Sequence, residues 1–148
     1  MAISTTTTDI GELPARLRLA IVRTARRMRQ EAGTDLSPSL TSALATIERH
    51  GPLTPSELAD IERVQRPSAT RIVARLEKAG LVDRAGDPSD GRVSLVTATR
   101  EGRDLLRRLR KRKNAYLARR MRDLDPDDVA ALERAAEVLE RLLEGERS

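Results

Sequence analysis

The run Thr54-Pro55-Ser56-Glu57-Leu58-Ala59-Asp60-Ile61, followed after a short polar turn by Arg66-Pro67-Ser68-Ala69-Thr70-Arg71-Ile72-Val73-Ala74-Arg75-Leu76-Glu77-Lys78-Ala79-Gly80, decides the fold. Thr54 offers a hydroxyl to cap a helix, and Pro55 suits the first helical position, where no backbone N–H is needed. Glu57 stands three residues after Thr54, completing a capping box, with Leu53 and Leu58 placed for the accompanying hydrophobic staple. This predicts a short helix from Pro55 to about Ile61 with Leu58, Ala59 and Ile61 inward. A turn over Glu62–Arg66 leads to Pro67, a second first-turn proline. Beyond it Ala69, Ile72, Val73 and Leu76 recur at three- and four-residue steps as an inner face, and Gly80 caps the end. The opposite face carries Ser68, Arg71, Arg75 and Lys78. Two short helices joined by a turn of about four residues are the parts of a helix-turn-helix.

Downstream the period changes. Leu81–Arg84 and Val93–Thr97 are short apolar or β-branched segments, and between them lies Gly86-Asp87-Pro88-Ser89-Asp90-Gly91, a dense turn signal. A two-stranded hairpin with an exposed tip is expected. Thr99 then caps a long helix containing Leu105, Leu106, Leu109, Tyr116, Leu117 and Met121. Asp125 and Pro126 open a final helix, with Asp127 and Asp128 favourable beside the positive end of its dipole. Its apolar stripe is Val129, Leu132, Ala135, Val138, Leu139, Leu142 and Leu143. Upstream, Ile10, Leu13, Leu17, Ile21, Thr24 and Met28 predict a first helix over Asp9–Glu31, widened by Leu19 and Val22 and ended by Gly33. Ser37-Pro38 opens a second helix with Leu40, Ala43, Leu44 and Ile47, which stops at Gly51-Pro52. The sum is one domain over residues 1–148, mainly α with a small two-stranded β-hairpin: six helices in a winged helix-turn-helix.

Composition narrows the chemistry. Hydrophobic residues make up 39% of the 148 and aromatics 1%, so the core must be aliphatic. There are no cysteines, which excludes disulfides, thiolate metal sites, cysteine nucleophiles and a thiol redox switch. The single His50 and the scattered carboxylates give no metal-ligand spacing, and no cofactor is expected. His50 precedes Gly51 at a helix end, where a cation beside terminal carbonyls is a simpler role than a ligand. No nucleophile–base pair, glycine-rich phosphate loop or paired carboxylates can be assembled, so an enzyme is not expected. No apolar run reaches the roughly 18 residues of a membrane span, and Met1–Thr8 lacks the regions of a signal peptide and reads as a short disordered lead-in. The cytoplasm is the expected location.

The net charge is +5, but its distribution says more. Residues 100–122 hold eleven basic and two acidic groups, and residues 123–148 hold three basic and nine acidic. The basic run Arg107–Lys113 fits DNA phosphates beside the hairpin or, more simply, pairs with the acidic last helix of its own or a partner chain. Charge alone also describes a solvated helix face, and 25 of the 28 cations are Arg, a bias that codon composition can produce. The hairpin shifts the balance. In a winged helix-turn-helix the second helix enters the major groove and the hairpin tip reaches the flanking DNA. Gln65, Arg66, Arg71 and Arg75 supply forked donors for base edges or phosphates, while Ser68 and Thr70 allow close approach, and Pro67 is counted with them among the DNA-binding residues. Arg92, just past a loop too polar to fill a core, suits a narrow minor groove, and Asp90 is placed to hold its guanidinium in a forked pair.

The stretches Thr54–Ala59, Arg66–Val82 and Asp87–Arg92 closely resemble the MarR family of bacterial regulators, above all in Leu76-Glu77-Lys78-Ala79-Gly80-Leu81-Val82 and the Asp90-Gly91-Arg92 wing. The resemblance implies a homodimer built from the N- and C-terminal helices that binds a palindromic operator in double-stranded DNA, often released by a small, frequently phenolic ligand. It supports Ser68, Thr70, Arg71 and Arg75 as reading-helix contacts and Arg92 as the wing arginine. Ala98, where members often carry leucine, is a departure in packing only. The redox-sensing mode of the family is excluded by the lack of cysteine. For a phenolic ligand only Tyr116 is available to stack, so the effector and its site are left unassigned. The expected division is a DNA-binding core over 37–99 and dimerisation helices over 9–31 and 100–145, with Leu13, Leu17, Ile21, Leu132, Leu139 and Leu142 in the interface. The function expected is a sequence-specific repressor. The alternatives are a sequence-tolerant architectural DNA-binding protein and a helical dimer that binds a protein partner.

Overall fold

The computed structural model describes residues 11–145. Its order is α1 (Leu13–Ala32), α2 (Pro38–His50), α3 (Pro55–Glu62), α4 (Arg66–Lys78), β1 (Val82–Gly86), β2 (Ser94–Ala98), α5 (Arg100–Met121) and α6 (Pro126–Glu144). The six helices and the hairpin expected from the sequence are all present. The expected start of the first helix at Asp9 and Ile10, and the lead-in before it, lie outside the described residues. Within them α1 begins at Leu13, with Pro14 in its first turn, where its missing N–H costs nothing.

Local chemistry sets most helix ends. Gly33 closes α1 in the left-handed conformation at φ 66, donating its N–H to the Arg29 carbonyl. Ser37 Oγ accepts from the Leu40 N–H at 3.3 Å to open α2. At α3 both halves of the capping box form: Glu57 N–H donates to Thr54 Oγ1 at 3.1 Å, and Thr54 N–H donates to Glu57 Oε1 at 3.3 Å. Asp125 Oδ1 accepts from Asp128 N–H at 2.9 Å to open α6.

The end of α4 moves the hairpin by one residue. Ala79 is the last cap residue, and Gly80 follows it with φ +75, a conformation that favours glycine. Gly80 N–H donates to the Glu77 carbonyl at 3.0 Å and Leu81 N–H to the Leu76 carbonyl at 2.9 Å. This is a Schellman closure, and the two leucines it joins are both in the core. Leu81 is thereby used to end the helix, so β1 starts at Val82 rather than Leu81, and its antiparallel partner runs to Ala98, with Val82 opposite Ala98 and Gly86 opposite Ser94. The sequence reading missed a second lateral pairing, in which Leu53 and Val96 exchange backbone hydrogen bonds of 3.2 and 2.8 Å.

The core gathers Ala43, Leu44 and Ile47 of α2, Leu53, Leu58 of α3, and Val73 and Leu76 of α4. Leu81, Val82, Val96 and Leu106 complete it. Ala98 packs at its margin. Every one of these is aliphatic, as the composition demanded. One inward assignment fails: Ile61 is 47% exposed. The last turn of α3 approaches α2 along a polar edge, where the Glu62 carboxylate accepts from the hydroxyls of Ser42 (2.8 Å) and Thr46, leaving Ile61 beside an open cleft. The apolar stripes of α1 and α6 are uncovered in the protomer, and no residue of α6 is buried.

Candidate nucleic-acid interface

The helix-turn-helix is held from below and free above. Between α3 and α4 the chain turns through Arg63 in the left-handed region at φ 54. Ala69, Val73 and Leu76 are completely buried beneath α4, which fixes the helix against the core. Gln65, Arg66, Pro67, Thr70, Arg71 and Arg75 are exposed, and Ser68 is half-buried. Gln65 is the N-cap residue but makes no side-chain cap, so its amide is uncommitted there. Thr70 Oγ1 donates to the Arg66 carbonyl at 3.0 Å. The Arg71 guanidinium donates to Ser68 Oγ at 3.2 Å. Gln65, Arg66, Pro67 and Ser68 line a cleft of about 720 Å³ with the turn, and Ser68, Arg71 and Arg75 line another of about 350 Å³ against the cap residue Ser37 and Ser39 and Leu40 of α2.

The wing is organised by its own polar groups. Asp87 accepts at one carboxylate oxygen from the Ser89 N–H (2.9 Å) and the Ser89 hydroxyl (2.7 Å). These bonds, the hydroxyl first, hold its pKa below the ordinary 3.8. Asp87, Asp90 and Val93 close the turn through backbone hydrogen bonds of 2.9 to 3.2 Å. The Asp90–Arg92 pair differs from the expected fork. Asp90 Oδ1 accepts from the Arg92 backbone N–H at 3.1 Å and from Nε at 3.3 Å, because two residues of tight turn bring the main chain, not the far edge of the guanidinium, over the carboxylate. The Arg92 side chain is 93% exposed, and its two terminal nitrogens have no partner among the described residues.

Two ties from the end of the reading helix, one to the wing and one to the start of α5, were missed by sequence reasoning. Arg84 of β1 pairs with Glu77 of α4 at 3.4 Å. Beyond its expected cap on the Gly102 N–H at 3.1 Å, Thr99 donates its hydroxyl to the Gly80 carbonyl at 2.7 Å, joining the end of α4 to the start of α5. The first was visible only as two charges seven residues apart, with no periodicity to join them.

The basic run of α5 does not reach α6 within the protomer. Among the described residues its ion pairs and hydrogen bonds join Arg107 to Asp104 of the same helix, Arg110 to Glu48 of α2 and Arg112 to the Ala32 carbonyl of α1. Of the residues expected in a dimer interface, Leu17, Ile21, Leu139 and Leu142 come together along one apolar groove of about 570 Å³ between α1 and α6. Leu13 and Leu132 lie outside it, 44% and 46% exposed. No group of three or more potential metal ligands forms among the described residues, and no described helix is long and apolar enough to cross a membrane.

A helix-turn-helix followed directly by a hairpin defines a winged helix-turn-helix protein. Comparison with known proteins agrees. A model of the MarR family matches residues 36–94. The uncharacterized HTH-type transcriptional regulator ML2140 of Mycobacterium leprae is 37% identical over 135 residues, covering 90% of this chain and 94% of that protein. A solved transcriptional regulator of Pseudomonas aeruginosa superposes with a TM-score of 0.82 at 34% identity, covering 93% of this chain and 97% of its own. Streptococcus pneumoniae FabT, solved in complex with DNA, shares the fold with a TM-score of 0.73 at 19% identity, over 94% of this chain and 100% of that one. The chain belongs to the MarR family and is a DNA-binding transcriptional regulator of the helix-turn-helix type.

Proposed function

We propose that this regulator is a homodimeric repressor that reads a palindromic operator and is released by a small molecule. The observation that carries the reading is the pairing of two surfaces. One is an exposed, cationic reading helix beside a wing whose Arg92 terminal nitrogens are free. The other is an apolar stripe on α1 and α6 that the protomer leaves open. In this reading residues 37–99 engage DNA, and residues 9–31 and 100–145 mainly make the dimer. Gln65, Arg66, Pro67, Ser68, Thr70, Arg71 and Arg75 face the major groove, and Asp90 sets the Arg92 main chain so that the guanidinium reaches the flanking minor groove. Leu13, Leu17, Ile21, Leu132, Leu139 and Leu142 are covered by the second copy. Repression needs only occupancy, since a dimer seated on two half-sites about 10 base pairs apart excludes other proteins from that DNA.

A cleft of about 320 Å³ between α1, α2 and α5 supports the release step. It is lined by the apolar Ala25, Met28 and Ala45 and the cationic Arg29 and Lys113, a chemistry suited to an organic anion.

Fluorescence anisotropy against genomic fragments and random duplexes tests the reading. Tight binding to a palindrome with a steep salt slope, and analytical ultracentrifugation showing a dimer at micromolar concentration, are the expected results. Equal affinity for all duplexes replaces this reading with an architectural role, and a monomer that binds no DNA rejects it.

A further inference from the structure

The cations of α5 are distributed in a way that the DNA-contact reading does not use. The helix packs along α1 and against the core, so it runs from one to the other. Gly102, Leu106 and Leu109 bury its first half in the core. At the point where it leaves the core, Arg110 turns to α2 and donates to Glu48 Oε1 at 3.3 Å. Two residues on, Arg112 donates to the carbonyl of Ala32, the last residue of α1, at 2.8 Å. Residues two apart leave an α-helix about 200° from each other, so one strut is gripped from opposite sides. Arg119 adds an ion pair of 3.8 Å to Glu31, which Arg27 also holds at 3.0 Å.

Burial separates these contacts: the Arg110 and Arg119 side chains are largely exposed, whereas the Arg112 bond is not. Ala32 is completely buried, and the Arg112 contact is part-buried. Glu48 is half-buried, and its second carboxylate oxygen is buried with no partner. Among the described residues Arg110 is the one cation paired with Glu48, through Oε1. A cation on the last carbonyl of α1 also sits at the negative end of that helix dipole.

The geometry points to Arg110 and Arg112 as positioning residues that set the angle between the dimer arm and the reading head, and so the separation of the two reading helices on DNA. This rests on the homodimer reading above. The leverage is large: α1 has 20 residues and spans about 30 Å. A tilt of about 6° at its α5 end displaces the far end by about 3 Å, close to the roughly 3.4 Å rise of one base pair.

The test is binding to a series of palindromes whose half-sites are moved apart one base pair at a time, together with an isolated half-site. Wild type is expected to prefer one spacing by about tenfold or more, a preference set by the fixed separation of the reading helices. The double variant Arg110→Gln/Arg112→Gln should flatten that preference to about threefold or less while half-site affinity and dimer sedimentation stay unchanged. Arg112→Lys on the wild-type background, which keeps the cation and a donor, should retain most of the profile. Glu48→Gln, which keeps the side-chain shape, tests the same tie if the double variant fails to fold and should shift the profile in the same direction. An unchanged spacing profile in the double variant and in Glu48→Gln overturns the inference and leaves the dimer reading intact. A wild type with no spacing preference overturns the inference, and one that also sediments as a monomer overturns the dimer reading as well.

Discussion

Gly102 is the position where the wing, the core and the long helix meet most closely, and an added methyl there measures that fit. Gly102 is buried in the first turn of α5, with its N–H on Thr99 Oγ1. A Cβ at this position overlaps the carbonyl oxygen of Leu81 and lies 3.2 Å from Leu44 Cδ1. The Leu44 methyl can yield, but the Leu81 carbonyl is main chain and already accepts the Thr99 N–H at 3.0 Å. Overpacking of a well-filled site costs about 1–3 kcal/mol. Replacing glycine by alanine inside a helix returns about 0.5–1 kcal/mol. Gly102→Ala is thus expected to destabilise by about 1–2 kcal/mol, or about 3–6 °C in Tm for a chain of this size. Thermal unfolding followed by circular dichroism, at one protomer concentration because dimer stability depends on it, reads the shift. Gly91→Ala is the matched control, since nothing lies within 4 Å of its Cβ, and it should stay within about 0.5 kcal/mol. A Gly102→Ala protein as stable as the parent would falsify the claim that the Leu81 carbonyl and α5 are in rigid contact.

Further outcomes follow from the same contacts. Arg71→Ala should weaken binding to the operator by about tenfold or more while changing random-duplex affinity much less, and equal loss on both would remove it from base readout. Arg92→Ala should lower affinity more evenly across sequences and reduce the salt slope by about one, so an unaltered slope would place that guanidinium away from the DNA. Removing the Thr54 hydroxyl in Thr54→Ala takes away one half of the α3 capping box and should cost about 0.5–2 kcal/mol in urea denaturation. Asp87 has its pKa lowered chiefly by the Ser89 hydroxyl, so its contribution to wing order is complete above the ordinary carboxylate value of 3.8 and is lost only as pH falls through the lower folded value. The Ser89 amide resonance followed by NMR from pH 6 downward should therefore titrate with a midpoint below 3.8, and a midpoint at or above 3.8 would contradict the turn geometry.

Local chemistry was legible and distant geometry was not. The capping box at Thr54–Glu57, the caps at Ser37, Thr99 and Asp125, and the glycine end of α1 were all read from residues within a few positions of each other, because a cap is a bond between near neighbours. The inner face of α4 was legible for the same reason, through the helical period of Ala69, Val73 and Leu76. The hairpin was placed one residue early because both Leu81 and Val82 are apolar, and only the Schellman closure decides which of them ends the helix. Ile61 was assigned inward by its period, but the approach of α2 put Glu62 on the Ser42 and Thr46 hydroxyls instead.

The reading helix and the wing, on which the sequence was most telling, show the same division. Its residues alone determined that Arg66–Lys78 would be a helix with one apolar and one cationic face, and that Asp87–Arg92 would be a tight polar turn. Tertiary structure decided that the Asp90 carboxylate takes the Arg92 main chain and Nε and leaves the terminal nitrogens outward. It likewise decided that Glu77 ties α4 to β1, and that Arg107, Arg110 and Arg112 divide between α5 itself, α2 and α1. A charge pattern fixes which partners attract, but a hydrogen bond of about 3 Å exists only where packing of the aliphatic core has already brought the two groups together.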